Sequence, residues 1–287
     1  MLRVLDLFSG IGGFSLGLER TGGFQTVAFC EIDPFCRRVL AKHWPEVKQY
    51  EDVRTLDAAT LQRDGIAPNF ICGGFPCQDV SHAGKRAGLE GERSGLWSEY
   101  ARIIGDVRPI GLIVENVPGL LSLGMGRVLG DLAALGYDAV WDCVPAGSIG
   151  APHIRDRVWL FAYPQHPNAD DARSYRAALH IDGSTEFRDE QERQSGSLGA
   201  YVADASGARR TNNQRRGKTP GRDGYRTADC DRGASRTSFG WRTEPDVGRV
   251  AYGVPSRVDR LRSLGNAVVP QVVEVIGRAI LQAEHGA

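Results

Sequence analysis

Short apolar runs alternate with amphipathic stretches along the first 164 residues of the chain. The apolar runs predict strands, since strands covered on both faces are almost continuously apolar, and stretches with apolar residues three and four positions apart predict helices. Strands are predicted over residues 2–8, 26–32, 69–75, 112–114, 137–144 and 158–162, and helices over 14–20, 34–43, 96–107 and 126–135. This alternation predicts an α/β fold with a mostly parallel sheet and helices on both faces.

The apolar pattern stops near residue 164 and returns near residue 257. Gly, Ser, Arg, Asp and Asn dominate the intervening stretch, after which a short helix is predicted over 257–264, a loop over 265–270 and a last helix over 271–282. The predicted organisation is a main α/β domain over residues 1–164, a small irregular region over 165–255, and a C-terminal segment over 256–287.

The distribution of charge adds to this description of the irregular region. The 287-residue chain carries 35 basic and 35 acidic residues, so its net charge predicts no polyanionic partner. Residues 205–242, however, contain ten basic residues against three acidic ones, a local net charge of +7. Such a segment is typical either of a module that contacts phosphates or of a disordered surface insertion.

Cysteine usage and hydropathy restrict the class of protein further. The six cysteines at positions 30, 36, 72, 77, 143 and 230 form no Cys-x-x-Cys pair, and no histidine cluster has zinc spacing, so no metal site is expected. Most of these cysteines are expected to be small core residues. We find no apolar run of membrane-spanning length and no signal-peptide pattern, which predicts a cytoplasmic protein without a membrane partner.

Residues capable of cofactor binding follow the first predicted strands. The turn from Ser9 to Gly13 contains three glycines, which let backbone N–H groups approach a nucleotide-like ligand. Glu31 follows about twenty residues later, where a carboxylate commonly accepts hydrogen bonds from ribose hydroxyls, and Asp52 could accept one from an adenine amino group. The alternatives are an ordinary tight turn and, for Asp52, a solvated loop.

Candidate catalytic residues follow the next strands. A Cys77 thiolate at the carboxyl edge of the sheet could attack an electron-poor carbon. Glu115 follows an apolar strand, where a carboxyl group can stay protonated and donate a hydrogen bond. Arg155 and Arg157 alternate at strand spacing, so both are predicted to point to one side and clamp a phosphate or a base. The alternatives are a structural cysteine, a capping glutamate and a surface run of charge.

Five motifs, taken in order, carry a resemblance to a known family. They are LDLFSGIGG at 5–13, GFPCQ at 74–78, ENV at 115–117, RDR at 155–157 and GNAVVP at 265–270. Together they closely resemble the ordered motifs of the DNA cytosine-C5 methyltransferase family, over residues 1–163 and 257–277. Two departures are visible: His153 stands where the family usually has Gln, and the usual arginine-rich motif before Gly265 is not recognisable.

The resemblance implies a Rossmann-like, S-adenosylmethionine-dependent methyltransferase that acts as a monomer on double-stranded DNA. Residues 1–164 become the catalytic and cofactor-binding domain, 165–255 the target-recognition region, and 256–287 a segment that returns to complete the cofactor pocket. A bacterial nucleoid-associated or phage-encoded protein is implied, in a restriction–modification or solitary system. The implied cofactor contacts are Asp6, Phe8, Ser9, Gly10, Gly12, Glu31, Ile32, Asp52, Val53, Pro76, Leu96, Asn266 and Val268.

The resemblance also implies a mechanism. The target cytosine leaves the duplex, Cys77 attacks its C6 atom, and Glu115 hydrogen-bonds N3, so that C5 accepts the methyl group. Arg157 and Arg155 are implied to support the base or its phosphate. Two alternatives stay open: a cytosine methyltransferase acting on RNA, and a non-catalytic DNA-binding relative with a degraded recognition region.

Overall fold

The structure, a computed structural model, describes residues 1–76, 95–165 and 255–285. These residues belong to one of the two compact units into which the chain divides. Cys77 and nearly all of the predicted recognition region lie outside the described residues, and so does the basic segment at 205–242.

The described part of the chain contains a seven-stranded sheet in the order β3-β2-β1-β4-β5-β7-β6. Strands β1 to β5 run parallel, whereas β7 is antiparallel to both of its neighbours, β5 and β6. The predicted mostly parallel sheet is therefore confirmed. The strands are β1 (Leu2–Leu7), β2 (Phe24–Cys30), β3 (Lys48–Tyr50), β4 (Phe70–Gly73), β5 (Gly111–Asn116), β6 (Tyr137–Cys143) and β7 (Val158–Pro164).

Helices connect the strands and complete the C-terminal segment. They are α1 (Gly13–Arg20), α2 (Pro34–His43), α3 (Ala58–Arg63), α4 (Leu96–Val107), α5 (Leu120–Leu123), α6 (Met125–Ala134), α7 (Arg257–Asn266) and α8 (Pro270–His285), with a short 3₁₀ helix at Ala146–Ile149. Helix α2 begins at Pro34, whose fixed φ suits a first turn, and the Asp33 side chain accepts from the amides of Phe35 and Cys36.

Two apolar layers cover the two faces of the sheet. One layer contains Trp97, Tyr100 and Ile104 of α4 together with Val128 and Leu132 of α6. The other contains Phe14 and Leu18 of α1 and the apolar side of α8, namely Val272, Val273, Ile276 and Ile280. Helices on both faces are thus confirmed, and the C-terminal segment packs on the same sheet as the first helix.

One stretch is long and apolar enough to span a membrane by length and composition. Arg257–Ala283 has a mean hydropathy of 1.3 in its best window. The sequence analysis, in contrast, expected no apolar run of membrane-spanning length. The stretch is divided into α7 and α8 by residues 267–269, and the apolar side of α8 is already buried in the core. This packing is that of an amphipathic helix that covers one face of the sheet.

Several local predictions were wrong. The sequence pattern missed β3, α3, α5 and the 3₁₀ helix, which are only three to six residues long and show little periodicity. The predicted loop over 265–270 begins later, because α7 continues through Gly265 and Asn266. Arg155 and Arg157 do not belong to a strand, since β7 begins at Val158.

Candidate functional site

The glycine turn after β1 has an unusual backbone. Phe8 adopts a φ of 53°, a left-handed conformation that strains a side chain of this size. Gly10 and Gly12 follow with φ values of 55° and 83°, which glycine adopts without cost. The Ser9 hydroxyl, buried beneath the turn, donates to the Asp6 carbonyl at 2.6 Å. Strain of this kind is common where a backbone is shaped for a ligand.

Glu31, just past the end of β2, lies against the glycine turn. The Gly10 amide donates to Glu31 Oε2 at 2.7 Å, and the Asp33 amide donates to Oε1 at 2.8 Å. A Cβ atom added at Gly10 would meet nothing within 4 Å, so Gly10 borders open space. The structure therefore brings Glu31 and the open side of the turn together at the carboxyl edge of the sheet.

Some predicted cofactor contacts are part of the packing. A Cβ atom at Gly12 would lie 2.6 Å from Trp44, so this buried glycine is needed where α2 ends against the turn. Val53 belongs to the apolar core. Asp6 is fully buried; its Oδ2 accepts from the Ser15 hydroxyl at 2.7 Å, and burial raises its pKa to about 7. The Asp6 side chain therefore holds β1 to α1.

Ile32 follows Glu31 past the end of β2, and Asp52 lies two residues past the end of the neighbouring strand β3. The Asp52 carboxylate is engaged by Arg54, whose guanidinium reaches Oδ2 at 2.6 Å, and this hydrogen bond lowers the pKa of Asp52. Ile32 is 64% exposed, which is unusual for a large apolar residue next to a buried strand. Sequence reasoning missed Arg54, although an arginine two residues after an acidic group was a visible signal.

Residues 74–76 of the first catalytic motif and the ENV motif meet at the ends of the adjacent parallel strands β4 and β5. The Asn116 side-chain amide donates to the Phe75 carbonyl at 3.3 Å. A Cβ atom at Gly74 would lie 2.8 Å from Glu115 Oε2, so glycine lets this segment pass close over the carboxylate. Pro76 is half-buried and is the last described residue before Cys77. Leu96, which follows residues 77–94 in the sequence, packs against the apolar core that contains Phe75.

Glu115 occupies a buried, positively charged setting. Only 8% of the residue is exposed, and Arg157 Nε lies 2.8 Å from its Oε1 atom. Burial raises the pKa of Glu115, because the attraction of Arg157 and Arg155 offsets only part of the desolvation. This carboxyl group is therefore more easily protonated than an exposed glutamate, as the apolar strand before it predicted.

The two arginines of the RDR motif have different partners. Arg157 pairs with Glu115, whereas Arg155 donates from Nη1 to the Gly265 carbonyl at 3.0 Å and from Nη2 to the Ala267 carbonyl at 2.6 Å. The predicted strand spacing of these two residues was wrong, because the loop is not a strand and Arg155 has a φ of 35°. Burial and the charge of Arg157 lower the pKa of Arg155.

The C-terminal GNAVVP motif returns to the glycine turn. A Cβ atom at Gly13 would lie 2.7 Å from Val268 Cγ2, so Val268 packs directly against the start of α1. Asn266 ends α7 beside it and is exposed. The described part of residues 256–287 thus returns to the start of α1, and its completion of the cofactor pocket stays a prediction.

Other predicted features have simpler outcomes. Among the described cysteines, Cys30, Cys36 and Cys72 are buried and Cys143 is exposed. Within residues 1–76, 95–165 and 255–285, no group of three or more His, Cys, Asp and Glu side chains could hold a metal ion.

Comparison with known proteins gives a consistent result. The model of the C-5 cytosine-specific DNA methylase family matches residues 2–238. The type II methyltransferase M2.BsuMI of Bacillus subtilis is 38% identical over 169 residues, which cover 56% of this chain and 42% of that protein. M.Eco47II of Escherichia coli is 42% identical over 127 residues, covering 44% of this chain and 30% of that protein. The match thus spans less than half the length of these curated relatives.

Two solved structures share the fold. The Entamoeba histolytica methyltransferase EhMeth has a TM-score of 0.50 at 20% identity, and the match covers 58% of this chain and 54% of the EhMeth chain. The S. pombe Dnmt2 methyltransferase also has a TM-score of 0.50, at 21% identity, and the match covers 65% of this chain and 59% of the Dnmt2 chain. Because the family model matches most of the chain, this protein belongs to the C-5 cytosine-specific DNA methylase family.

Proposed function

We propose that this protein transfers a methyl group from S-adenosylmethionine to C5 of a cytosine flipped out of duplex DNA. The observation that carries the proposal is the meeting of residues 74–76, which directly precede Cys77, and ENV at one sheet edge, where Gly74 passes over Glu115. The glycine turn lies on the neighbouring strand β1 at the same edge. Cofactor and base would therefore meet at the carboxyl ends of adjacent strands, the usual ligand position of open α/β sheets.

The residues around the glycine turn fit S-adenosylmethionine. Gly10 borders open space, and Glu31 beside it still has free lone pairs for ribose hydroxyls. Ile32 offers an exposed apolar surface that an adenine ring could cover, and the Asp52 carboxylate could accept a hydrogen bond from the adenine amino group. When bound, the cofactor supplies an electrophilic methyl group, and these side chains orient it. The other cofactor contacts implied by the resemblance remain predictions.

Glu115 would act on the pyrimidine ring. Its raised pKa favours a protonated carboxyl group that donates to N3 and draws electron density from the ring when a nucleophile adds at C6. Arg157 holds the Glu115 carboxyl group in place at 2.8 Å, which fixes the direction of that hydrogen bond. Glu115 is rigidly supported because β5 is a central strand of the sheet, and Arg157 directly precedes β7, which pairs with β5.

Cys77 is proposed as the nucleophile because it directly follows Pro76 at this edge. Its sulfur would form a bond to C6 while N3 gains a hydrogen bond from Glu115, and the C5 carbon would then take the methyl group. Loss of the C5 proton to a base and departure of the Cys77 sulfur from C6 would restore the aromatic ring. The reaction needs no oxidant or reductant.

The region 165–255 is proposed to select the target site. Its segment at 205–242 has a net charge of +7, which suits a phosphate backbone. On this proposal the protein works in the cytoplasm as a monomer on DNA, and the domain boundaries at residues 164 and 255 separate chemistry from recognition. An association with the nucleoid or a phage origin remains a prediction.

The test is transfer of a tritiated methyl group to duplex DNA. We expect transfer by the wild-type chain and none by Cys77→Ala, with Cys143→Ala as the matched control because Cys143 is exposed on β6. A duplex containing 5-fluorocytosine should form a covalent adduct with the wild type, since fluorine blocks the final elimination. Labelling of tRNA instead of DNA, or full activity of Cys77→Ala, would contradict the proposal.

A further inference from the structure

The side chain of Arg155 ends on the last turn of α7. Its two Nη atoms donate to the carbonyls of Gly265 and Ala267, more than a hundred positions away in sequence. The last carbonyls of a helix have no intrahelical partner, and Pro270 has no N–H to offer. Helix α7 also has no basic residue in its own last turn. Arg155 therefore supplies both the donors and the positive charge that this helix end lacks.

The backbone of Arg155 is held in a conformation that aims the side chain. Its φ of 35° is left-handed, which is strained for a residue with a Cβ atom. The Ala146 amide donates to the Arg155 carbonyl at 3.3 Å, and the Val144 amide donates to the Arg157 carbonyl at 2.9 Å. The loop is therefore anchored at the strained residue and again two positions later.

The turn that Arg155 binds also packs against the glycine turn. Val268 lies so close to Gly13 that a single added carbon would overlap it at 2.7 Å. The segment 265–268 is consequently held between the Arg155 guanidinium and the start of α1. Asn266 and Val268, two of the predicted cofactor contacts, belong to this segment.

We propose that Arg155 is a positioning residue for the cofactor: it holds the 265–268 turn so that Asn266 and Val268 complete the pocket beside the glycine turn. This assignment rests on the proposed function and replaces the expectation that Arg155 clamps a phosphate or the base. Both Nη atoms are already engaged by carbonyls, and burial is costly for a charge without such partners. Arg157 is the residue of the pair that forms an ion pair with Glu115.

Helix α7 has a second attachment that does not involve Arg155. Cys36 Sγ of α2 lies 3.4 Å from Ser263 Oγ, and Arg262 forms an ion pair with Asp33. Loss of the Arg155 side chain should therefore leave α7 on α2 and the fold intact, while the 265–268 turn becomes free to move.

The test compares Arg155→Ala and Arg155→Lys with the control Arg108→Ala in the full-length chain. Arg108 is a close match, because it is also left-handed, with a φ of 53°, and also donates to a carbonyl at a helix end, that of Leu135 at 2.6 Å. Binding of S-adenosylmethionine is measured by calorimetry without DNA. The KM for each substrate and kcat are measured by tritium transfer.

For Arg155→Ala we expect roughly ten- to hundredfold weaker cofactor binding, because two charge-assisted hydrogen bonds are removed. The KM for the cofactor should rise in parallel, while the KM for DNA and kcat at saturating cofactor stay near those of the wild type. Arg155→Lys keeps the charge but not the fork of donors, so it should recover part of the affinity. Arg108→Ala should bind the cofactor normally.

Other outcomes separate the two proposals. Normal cofactor binding by both Arg155 variants, with a raised KM for DNA, would overturn the positioning role and restore the phosphate clamp. If the wild type neither binds the cofactor nor transfers a methyl group, the proposed function itself fails. If Arg155→Ala does not fold, Arg155→Lys decides: affinity equal to that of the wild type contradicts the proposal, and weakened affinity with a normal KM for DNA supports it.

Discussion

At the scale of single residues, Glu115 has the most informative environment. It is buried at the end of a central strand, paired with Arg157 at 2.8 Å, and has a raised pKa because desolvation outweighs that pairing. Stability alone does not require a glutamate here, because apolar residues in place of a buried ion pair are often equally stabilising or more so. The combination of burial, charge and a neighbouring motif indicates a chemical role.

Replacing Glu115 by glutamine tests that role. Gln keeps the shape of the side chain, but its amide is not acidic and cannot transfer a proton to N3 as a carboxyl group can. We therefore expect methyl transfer to fall by about a hundredfold or more. Cofactor binding should be unchanged. Glu99→Gln is a matched control, because Glu99 also pairs with an arginine, Arg102, at 2.8 Å but belongs to α4. Activity of Glu115→Gln close to that of Glu99→Gln would contradict the proposed role.

Asp6 carries a different consequence of burial. Its pKa is about 7 in the folded protein against an ordinary value of 3.8, so the folded state favours the protonated form. Its contribution to stability is fully present below pH 3.8 and is lost as the pH rises through about 7.

Asp6→Asn removes this titration. We expect the variant to be more stable than the wild type at pH 8, by at most about 4 kcal/mol at 1.36 kcal/mol per pH unit, and the difference to shrink toward pH 4. Urea unfolding at several pH values measures it. Asp57→Asn should instead be less stable than the wild type at pH 8, because a hydrogen bond with Thr60 lowers the pKa of Asp57. This difference should shrink only below pH 3.8, where Asp57 becomes protonated. A difference for Asp6→Asn that does not vary with pH would be inconsistent with the raised pKa.

At the scale of elements, the contact between α1 and α8 determines where the C-terminal segment lies. Gly17 permits this contact: a Cβ atom there would lie 2.4 Å from the Pro270 carbonyl and 2.6 Å from Val273 Cβ. Since α8 begins at Pro270, the last residue of the GNAVVP motif, the packing of two helices sets the position of residues in the proposed cofactor pocket.

Gly17→Ala should therefore push α8 away from α1. We expect a loss of stability of about 1–3 kcal/mol from overpacking, together with weaker cofactor binding because Val268 would move relative to Gly13. Gly130→Ala in α6 is the control; an added Cβ atom there meets nothing within 4 Å, and it should stabilise the helix by about 0.5–1 kcal/mol. Thermal unfolding and calorimetry report both effects. Equal stability of the two variants would refute the packing argument.

At the scale of the whole molecule, the zero net charge conceals a separation of charge along the chain. The segment at 205–242 has a net charge of +7, so the remainder carries −7. A protein with this distribution should approach DNA with the basic segment and keep its acidic remainder turned away.

Neutralising part of the basic segment tests this idea. Replacing Arg209, Arg210, Arg215 and Arg216 by glutamine should weaken DNA binding and reduce the salt slope by about 0.9 for each phosphate that is no longer neutralised, without affecting cofactor affinity. Arg20→Gln with Arg63→Gln is the control, since these residues end α1 and α3, at the edge of the sheet opposite the proposed site. An unchanged salt slope would assign the basic segment another role.

The sequence was sufficient to predict the α/β class, most strands and helices, and the edge at which the motifs meet. Those predictions succeeded because long apolar runs and helical periodicity reflect burial in a sheet covered on both sides. Short elements such as β3 and α3 were not predicted, since three to six residues show no reliable hydrophobic period. The formation of such elements also depends on neighbours that are distant in sequence.

The tertiary structure alone decided the roles of individual side chains. Asp6, Gly12 and Val53 proved to be held in the packing, and the two arginines of the RDR motif turned to partners on different elements. None of this could be read from the sequence, because a motif specifies residue types, whereas the direction of a side chain depends on backbone angles and on segments more than a hundred residues away. Sequence thus determined the family and the sheet edge at which its motifs meet, and folding decided which partners each of these side chains contacts.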